Sequence, residues 1–306
     1  MRLQLVARSL ERDAADLAQQ IVSGLASGGI YASLALALVL IYRATGVVNF
    51  AQGEMAMFTT FVAWTLMEHM AYWPAFALTL VLAFVGGALL ELTVIRPVQS
   101  APPLTVVIVT IGLLIGLNGL ARRIWGNSPK TLESPFSTDP VRIGGVAFSI
   151  QDLGIIGVSI AIVALLWAFF RFTKLGLGLR AAAVNPAESR LVGIRVAWML
   201  ALGWGLAAVL GAVAGMMAAP PLGSFDQNLM QPILLYAFAA AVLGGIDSPL
   251  GAVVGGLLVG MMVNLVGTYV GFVGADLRLP VALAIILGVL LVRPSGLFGR
   301  EAVSRV

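Results

Sequence analysis

Apolar residues in this chain come in long blocks rather than in a helical or strand rhythm. The blocks cover about residues 20–42, 55–71, 74–95, 104–121, 151–170, 197–219, 231–243, 252–271 and 279–292. A helix that is apolar all round belongs in a core or a bilayer. About 20 such residues cross the hydrocarbon layer. The pattern therefore predicts an all-α polytopic membrane protein with about eight or nine transmembrane helical segments. Segments 231–243 and 279–292 are short for a full crossing. Small residues recur inside the blocks: Gly24, Ser27, Gly28, Gly29, Ala32 and Ser33 in the first, and Gly203, Gly205, Gly211 and Gly215 in the sixth. Such faces let neighbouring helices approach closely.

The connections carry the remaining pattern. Residues 1–18 mix charges with a weak stripe of Leu3, Val6, Leu10 and Leu17, so a short N-terminal surface helix is expected ahead of one transmembrane domain over 19–300. Residues 122–150 are rich in turn formers, with short extended pieces expected at 141–143 and 146–148. His69, Tyr72 and Trp73 suit a membrane interface. Glu91 lies one turn from the end of its block, where Arg96 is its expected partner; the reading is structural.

Two connections are polar and glycine-bounded yet flanked by membrane-length apolar sequence. They are Gly46-Val47-Val48-Asn49-Phe50-Ala51-Gln52-Gly53-Glu54 and Leu243-Gly244-Gly245-Ile246-Asp247-Ser248-Pro249-Leu250-Gly251. Irregular backbone at membrane depth is tolerated where protein buries it or it lines a water-filled cavity. Paired interruptions in the two halves of a transporter mark a transport path. The alternative is a pair of tight turns. The path reading is preferred, with Asn49, Phe50, Gln52, Gly53, Gly244, Gly245, Asp247 and Ser248 near its cytoplasmic half. The amides of Asn49 and Gln52 would contact a zwitterion without holding it as an ion pair would, and Phe50 would gate.

The longest basic polar run is the central loop, 172–196. Together with the adjoining Arg171 it holds Arg171, Lys174, Arg180, Arg190 and Arg195 against Glu188. It contains a compact helix specification. Asn185 caps, Pro186 fits the first helical position, and Glu188 can reach back to the Asn185 amide. Gly193 stops the helix. The resulting two turns are apolar at Ala187, Leu191 and Val192, with Ile194 just beyond. A helix this short is unstable alone in water. It lies either on a soluble partner or on lipid headgroups.

Charge orients the chain weakly. With the central loop in the cytoplasm and strict alternation, ten basic residues fall inside (Arg43, Arg96, the five just named, Arg293, Arg300, Arg305). Eight fall outside (Arg2, Arg8, Arg12, Arg122, Arg123, Lys130, Arg142, Arg278). The dense central loop carries the bias. An inside N-terminus, drawn by its three arginines, would need one short segment to be re-entrant.

Composition removes other classes. The chain is 60% hydrophobic and 10% charged, and its net charge of +4 is spread over loops rather than gathered on a nucleic-acid-binding face. It has no cysteine and one histidine, which leaves no thiolate or histidine-rich metal site. Lys130 and Lys174 are the only lysines and neither sits in a Gly-x-x-x-x-Gly-Lys-Ser/Thr run, so the chain is not itself a P-loop ATPase. No grouping supports an enzyme. An ion-coupled secondary transporter using Glu54 or Glu91 is the alternative transport reading, but it offers no role for a capped helix in the central loop.

Several motifs together resemble a known family. They are Gly24 to Tyr31, Gly46 to Glu54, Arg96-Pro97, Gly178-Leu179-Arg180-Ala181 with Ala187 to Ile194, Leu243-Gly244-Gly245 with Gly251-Ala252, and Arg293-Pro294-x-Gly296-Leu297-Phe298-Gly299. Over about residues 20–300 the chain resembles the H-type inner-membrane permease of branched-chain amino-acid ABC importers. Gln52 departs from the family, many members of which carry histidine there. The resemblance implies a type II-like importer fold in the bacterial inner membrane. It also implies an M-type second permease, two cytoplasmic ATPases that bind the ATP and magnesium, and a periplasmic binding protein. This chain itself would bind no cofactor and no metal. On this reading Arg180, Asn185, Pro186, Ala187, Glu188, Leu191, Val192, Gly193 and Ile194 form the coupling element that docks on an ATPase. Relatives carry urea, amides and other small carboxylates, so the substrate is a branched-chain amino acid or a related small molecule.

Overall fold

The computed structural model describes residues 2–137, 139–143, 146–270 and 277–299. Each apolar block forms a helix: α1 (Arg2–Thr45), α2 (Gln52–Met67), α3 (Tyr72–Leu90), α4 (Pro103–Trp125), α5 (Ile150–Phe172), α8 (Val196–Ala218), α9 (Met230–Gly244), α10 (Pro249–Tyr269) and α11 (Arg278–Val292). Two further helices, α6 (Lys174–Val184) and α7 (Pro186–Leu191), fill the central loop. Among the described residues six helices are long and apolar enough to cross a membrane. The other three, α2, α9 and α11, are shorter, at 16, 15 and 15 residues. The helix expected over 1–18 is continuous with the first span, because nothing between them breaks a helix. The extended pieces form a hairpin, β1 (Pro140–Ile143) and β2 (Val146–Ser149), with Pro140 opposite Ser149. Arg300 and Arg305 lie outside the described residues.

Small residues set the packing. A Cβ on Gly24 would lie 2.9 Å from the Met261 Cα, and one on Gly28 would lie 2.8 Å from the Leu257 Cα. The expected glycine face of α1 is therefore filled by α10, running antiparallel. α8 is the central post: Gly211 and Gly215 receive Gln52, Ala56 and Thr60 of α2, and Gly205 receives Phe84 of α3. α4 and α5 stand at the periphery and expose Ile108, Ile115, Leu165 and Trp167.

The helix ends sort onto two sides. The ends of α1 and α5, the helix α6 and the start of α10 line one cavity, and so lie together. The end of α3 joins them, since Arg96 Nη2 donates to Ala197 O in the first turn of α8 at 2.9 Å. Before that point α3 passes into a π turn (Glu91–Ile95) and a 3-10 turn (Arg96–Val98). Pro97 lacks the N–H that a regular helix needs here. Glu91 is buried and pairs with Arg96 at 3.4 Å, as expected, and accepts from Gln99 Nε2 at 2.6 Å. On the opposite side Trp125 Nε1 donates to Thr65 Oγ1 at 2.8 Å, and Lys130 bridges Phe225.

Candidate functional site: a broken helix and a basic loop

The chain turns away from helix after Thr45, where Gly46 has φ +71°. Asn49 organises the turn into α2. Its Oδ1 accepts from the Ala51 amide at 3.0 Å, closing an Asx turn. Its Nδ2 donates to Gln52 Oε1 at 3.3 Å. Gln52 Nε2 in turn donates to Ala207 O at 2.9 Å. Ala207 is well inside α8, about 16 Å along the axis from Val196 at 1.5 Å per residue. The helix α2 thus begins deep between other helices, not at a surface. This is the polar irregular backbone expected at membrane depth, and protein buries it.

Burial separates the residues of this break. Asn49 and Gln52 are 1% and 0% exposed, while Phe50 between them is 38% exposed. The two amides face the interior of the chain, and the phenyl ring faces out of it. Gly53 lies against Leu234 of α9, where a Cβ would stand 3.1 Å from the Leu234 Cδ2. In the same first turn of α2, buried Glu54 accepts from Asn118 Nδ2 of α4 at 3.1 Å. Asn118 also donates to Gln227 O at 3.1 Å and accepts from Arg122 Nε at 2.8 Å. This network ties the first turn of α2 to α4 and to the loop before α9. Sequence reading offers Glu54 only as an ion-coupling candidate and misses Asn118 altogether. A lone amide inside an apolar block is the signal that finds it.

The second break is a different object. Gly245 has φ +104° and caps α9, while Ser248 Oγ caps α10 by accepting from the Gly251 amide at 3.0 Å. Gly244 and Gly251 meet backbone to backbone. The C-terminal stretch closes over the turn: the Leu297 amide donates to Leu243 O at 2.8 Å and the Phe298 amide to Gly244 O at 2.9 Å. Asp247 is exposed and Ser248 half-buried. The structure does not bring the two breaks together. Leu234, the neighbour of Gly53, precedes Gly244 by ten residues, about 15 Å along α9. Asn49 and Gln52 also lie near the midpoint of α8 rather than at the depth of Asp247. Gly53 and Gly244 therefore stand at different levels along α9.

The central loop folds as its cap residues dictate. Asn185 Oδ1 accepts from the Glu188 amide at 3.2 Å, and Pro186 opens α7. The return bond from Glu188 to the Asn185 amide is not made, because that amide already donates to Ala181 O at 3.1 Å as the end of α6. Asn185 thus closes one helix and opens the next. Gly193, at φ +84°, ends α7 in a Schellman-like pair: Gly193 N–H to Arg190 O at 3.1 Å and Ile194 N–H to Ser189 O at 2.9 Å. Ser189 is the buried side of this helix. Leu191 and Val192 are 87% and 76% exposed, and Ala187, Glu188 and Arg190 are exposed with them. Arg180 does not join that face; it lines the cavity between α1, α5, α6 and α10. Among the described residues no group of three or more His, Cys, Asp or Glu could hold a metal ion.

A multi-pass bundle with a helix broken at membrane depth, and a basic loop presenting a capped helix, is the build of a membrane transport permease. The chain belongs to the branched-chain amino acid transport system permease family, whose pattern matches residues 20–292. It is 30% identical over 302 residues to BraD, a high-affinity branched-chain amino acid transport system permease protein of Pseudomonas aeruginosa, with 94% of this chain and 97% of that protein covered. It is likewise 30% identical to LivH of Escherichia coli over 303 residues, with 94% and 97% covered. A more distant similarity, 29% over 218 residues, links it to the galactose/methyl galactoside import permease protein MglC of Escherichia coli, with 67% of this chain and 63% of that protein covered.

Proposed function

We propose that this permease forms the membrane path of an ATP-driven importer that carries branched-chain amino acids across the bacterial inner membrane. Similarity to BraD and LivH along nearly the whole chain supports the substrate class. The partial similarity to a galactoside permease supports a division of labour, in which a periplasmic binding protein selects the cargo and the permease passes it. A second permease of the M type completes the path. Two cytoplasmic ATPases bind ATP and magnesium and do the hydrolysis; this chain is not the enzyme.

The observation that carries the ATP-driven reading is α7. Its Leu191 and the adjoining Val192 are apolar and uncovered by this chain, while hydrogen-bonded caps close both ends of the helix. An amphipathic helix in a groove is a common way to join two proteins. Asn185, Pro186, Ala187, Glu188, Gly193 and Ile194 shape and flank that surface. Docking on an ATPase puts the central loop in the cytoplasm, in agreement with its charge. Within the membrane, Phe50 is the path-facing side chain of the first break, and Asn49, Gln52 and Gly53 hold it in place. Gly244, Gly245, Asp247 and Ser248 shape the path's mouth on the loop side.

The test is leucine uptake into cells or proteoliposomes that carry all five components. Leu191→Asp and Val192→Asp should leave the permease in the membrane while the ATPase no longer co-purifies and uptake is lost. Normal co-purification and normal uptake would defeat the docking reading. Uptake that persists without the ATPases, and stops when the ion gradients are collapsed, would establish the ion-coupled alternative.

A further inference from the structure

A cavity of about 450 Å³ opens between α1, α5, α6 and α10 at the helix ends on the loop side. Its walls are almost entirely apolar, including Leu166 and Trp167 of α5 and Leu250 of α10. Arg171 and Arg180 share its lining beside Arg43, and among the described residues no acidic residue does. The Arg180 Nε is buried without a hydrogen-bond partner. The cavity is not sealed inside the bundle: Trp167 and Leu250 are largely exposed, and both belong to membrane-spanning helices. An apolar slot edged by Arg171 and Arg180 therefore opens to the outside of the bundle, near the ends of two helices long and apolar enough to cross a membrane.

We infer that this cavity is a binding site for an anionic phospholipid, with an acyl chain in the apolar slot and the phosphate on Arg171 and Arg180. Each part of the site fits a different part of that molecule. Acyl chains match walls of leucine and tryptophan, and Trp167 stands where aromatic side chains meet headgroups. Guanidinium groups pair with phosphate through forked hydrogen bonds, and the free Nε of Arg180 offers such a donor. Basic pockets between transmembrane helices on the cytoplasmic side bind anionic headgroups. A water-soluble anion would leave the slot empty, and a lipid without net negative charge would give Arg171 and Arg180 no counter-charge. The site also joins separate parts of the chain. Arg180 is on α6, one helix before α7, whereas Arg43 and Leu250 are on the core pair α1 and α10. A lipid held there would brace the coupling loop against the bundle. The inference does not depend on which solute is carried.

The experiment is native mass spectrometry of the full-length permease, expressed with its partner subunits. The complex is exchanged into equal mixtures of palmitoyl-oleoyl phosphatidylglycerol and phosphatidylcholine. The expected result is one phosphatidylglycerol retained per permease. Its preference over phosphatidylcholine should fall about fivefold for Arg180→Gln and about fivefold again when Arg171→Gln is added. Ala183→Phe, which fills the slot and keeps the charge, should lower retention of the same lipid. A photoreactive benzoylphenylalanine at position 250, which leaves all three arginines intact, should form its adduct with phospholipid. Equal retention of both lipids, retention unchanged in the arginine variants, displacement by excess inorganic phosphate, or an adduct with the second permease in place of lipid would each overturn the assignment.

Discussion

At the scale of single residues, two glycines with positive φ separate conformational need from packing need. Gly46 has φ +71° with open space where a Cβ would go, so Gly46→Ala carries only the left-handed backbone cost, about 1–2 kcal/mol. Gly245 has φ +104°, and its Cβ would stand 2.6 Å from the Gly299 amide nitrogen, against the C-terminal stretch. Gly245→Ala must therefore cost more. Tryptophan-fluorescence melts in detergent should show a clearly larger fall in Tm for Gly245→Ala than for Gly46→Ala; equal falls would mean that the C-terminal stretch does not close over this turn. Gln52 is the polar counterpart. Gln52→Leu leaves the buried Asn49 amide without its oxygen acceptor, a loss of about 1–3 kcal/mol. Gln52→Glu keeps that acceptor but places a charge where the side chain is 0% exposed, and should melt lower still. Of these features the sequence displays the glycines and the amides; it does not display which of them are buried, because burial is a property of the neighbours.

Among the elements, α7 is the most legible. Cap, first-position proline and terminating glycine are local chemistry, and local chemistry survives in any tertiary setting. The one expected bond that does not form, from Glu188 to the Asn185 amide, fails because α6, which Thr173 caps by accepting from the Gly176 amide, ends at that same Asn185 amide. Asn185→Ala removes a cap worth about 0.5–2 kcal/mol and should weaken ATPase association modestly. Asn185→Asp and Asn185→Ser should restore it, as measured by co-purification at graded detergent stringency. Alanine and serine behaving alike would show that the cap does not order the docking surface. α2 is the least legible helix. Hydropathy starts it a few residues late, since the buried Gln52, Gly53 and Glu54 read as loop polarity rather than as a first turn.

For the whole molecule, the separation of the two breaks makes a direct test in a chain that has no cysteine. A Cβ at Gly53 would lie 3.3 Å from the Leu234 Cβ, close to the spacing a disulfide uses, whereas Asp247 is remote along α9. Gly53→Cys with Leu234→Cys should oxidise readily in membranes, and Asn49→Cys with Asp247→Cys should not. The reverse outcome would put the two breaks at one level of the bundle. The length and all-round apolarity of each block determined by themselves that this is a multi-pass helical membrane protein, because crossing a bilayer is a one-dimensional requirement on length and composition. Caps determined α7 for the same reason: their bonds span only a few residues. Depth, facing and convergence were left to the tertiary structure. Only the packing of α2 on α8 decided that Asn49 and Gln52 turn inward while Phe50 turns out. Only the bundle brought Arg43 to one slot with Arg171 and Arg180, which are far from it in the chain. A uniformly apolar helix has no moment to say which face meets protein and which meets lipid, and that choice is made by the small-residue contacts of its neighbours.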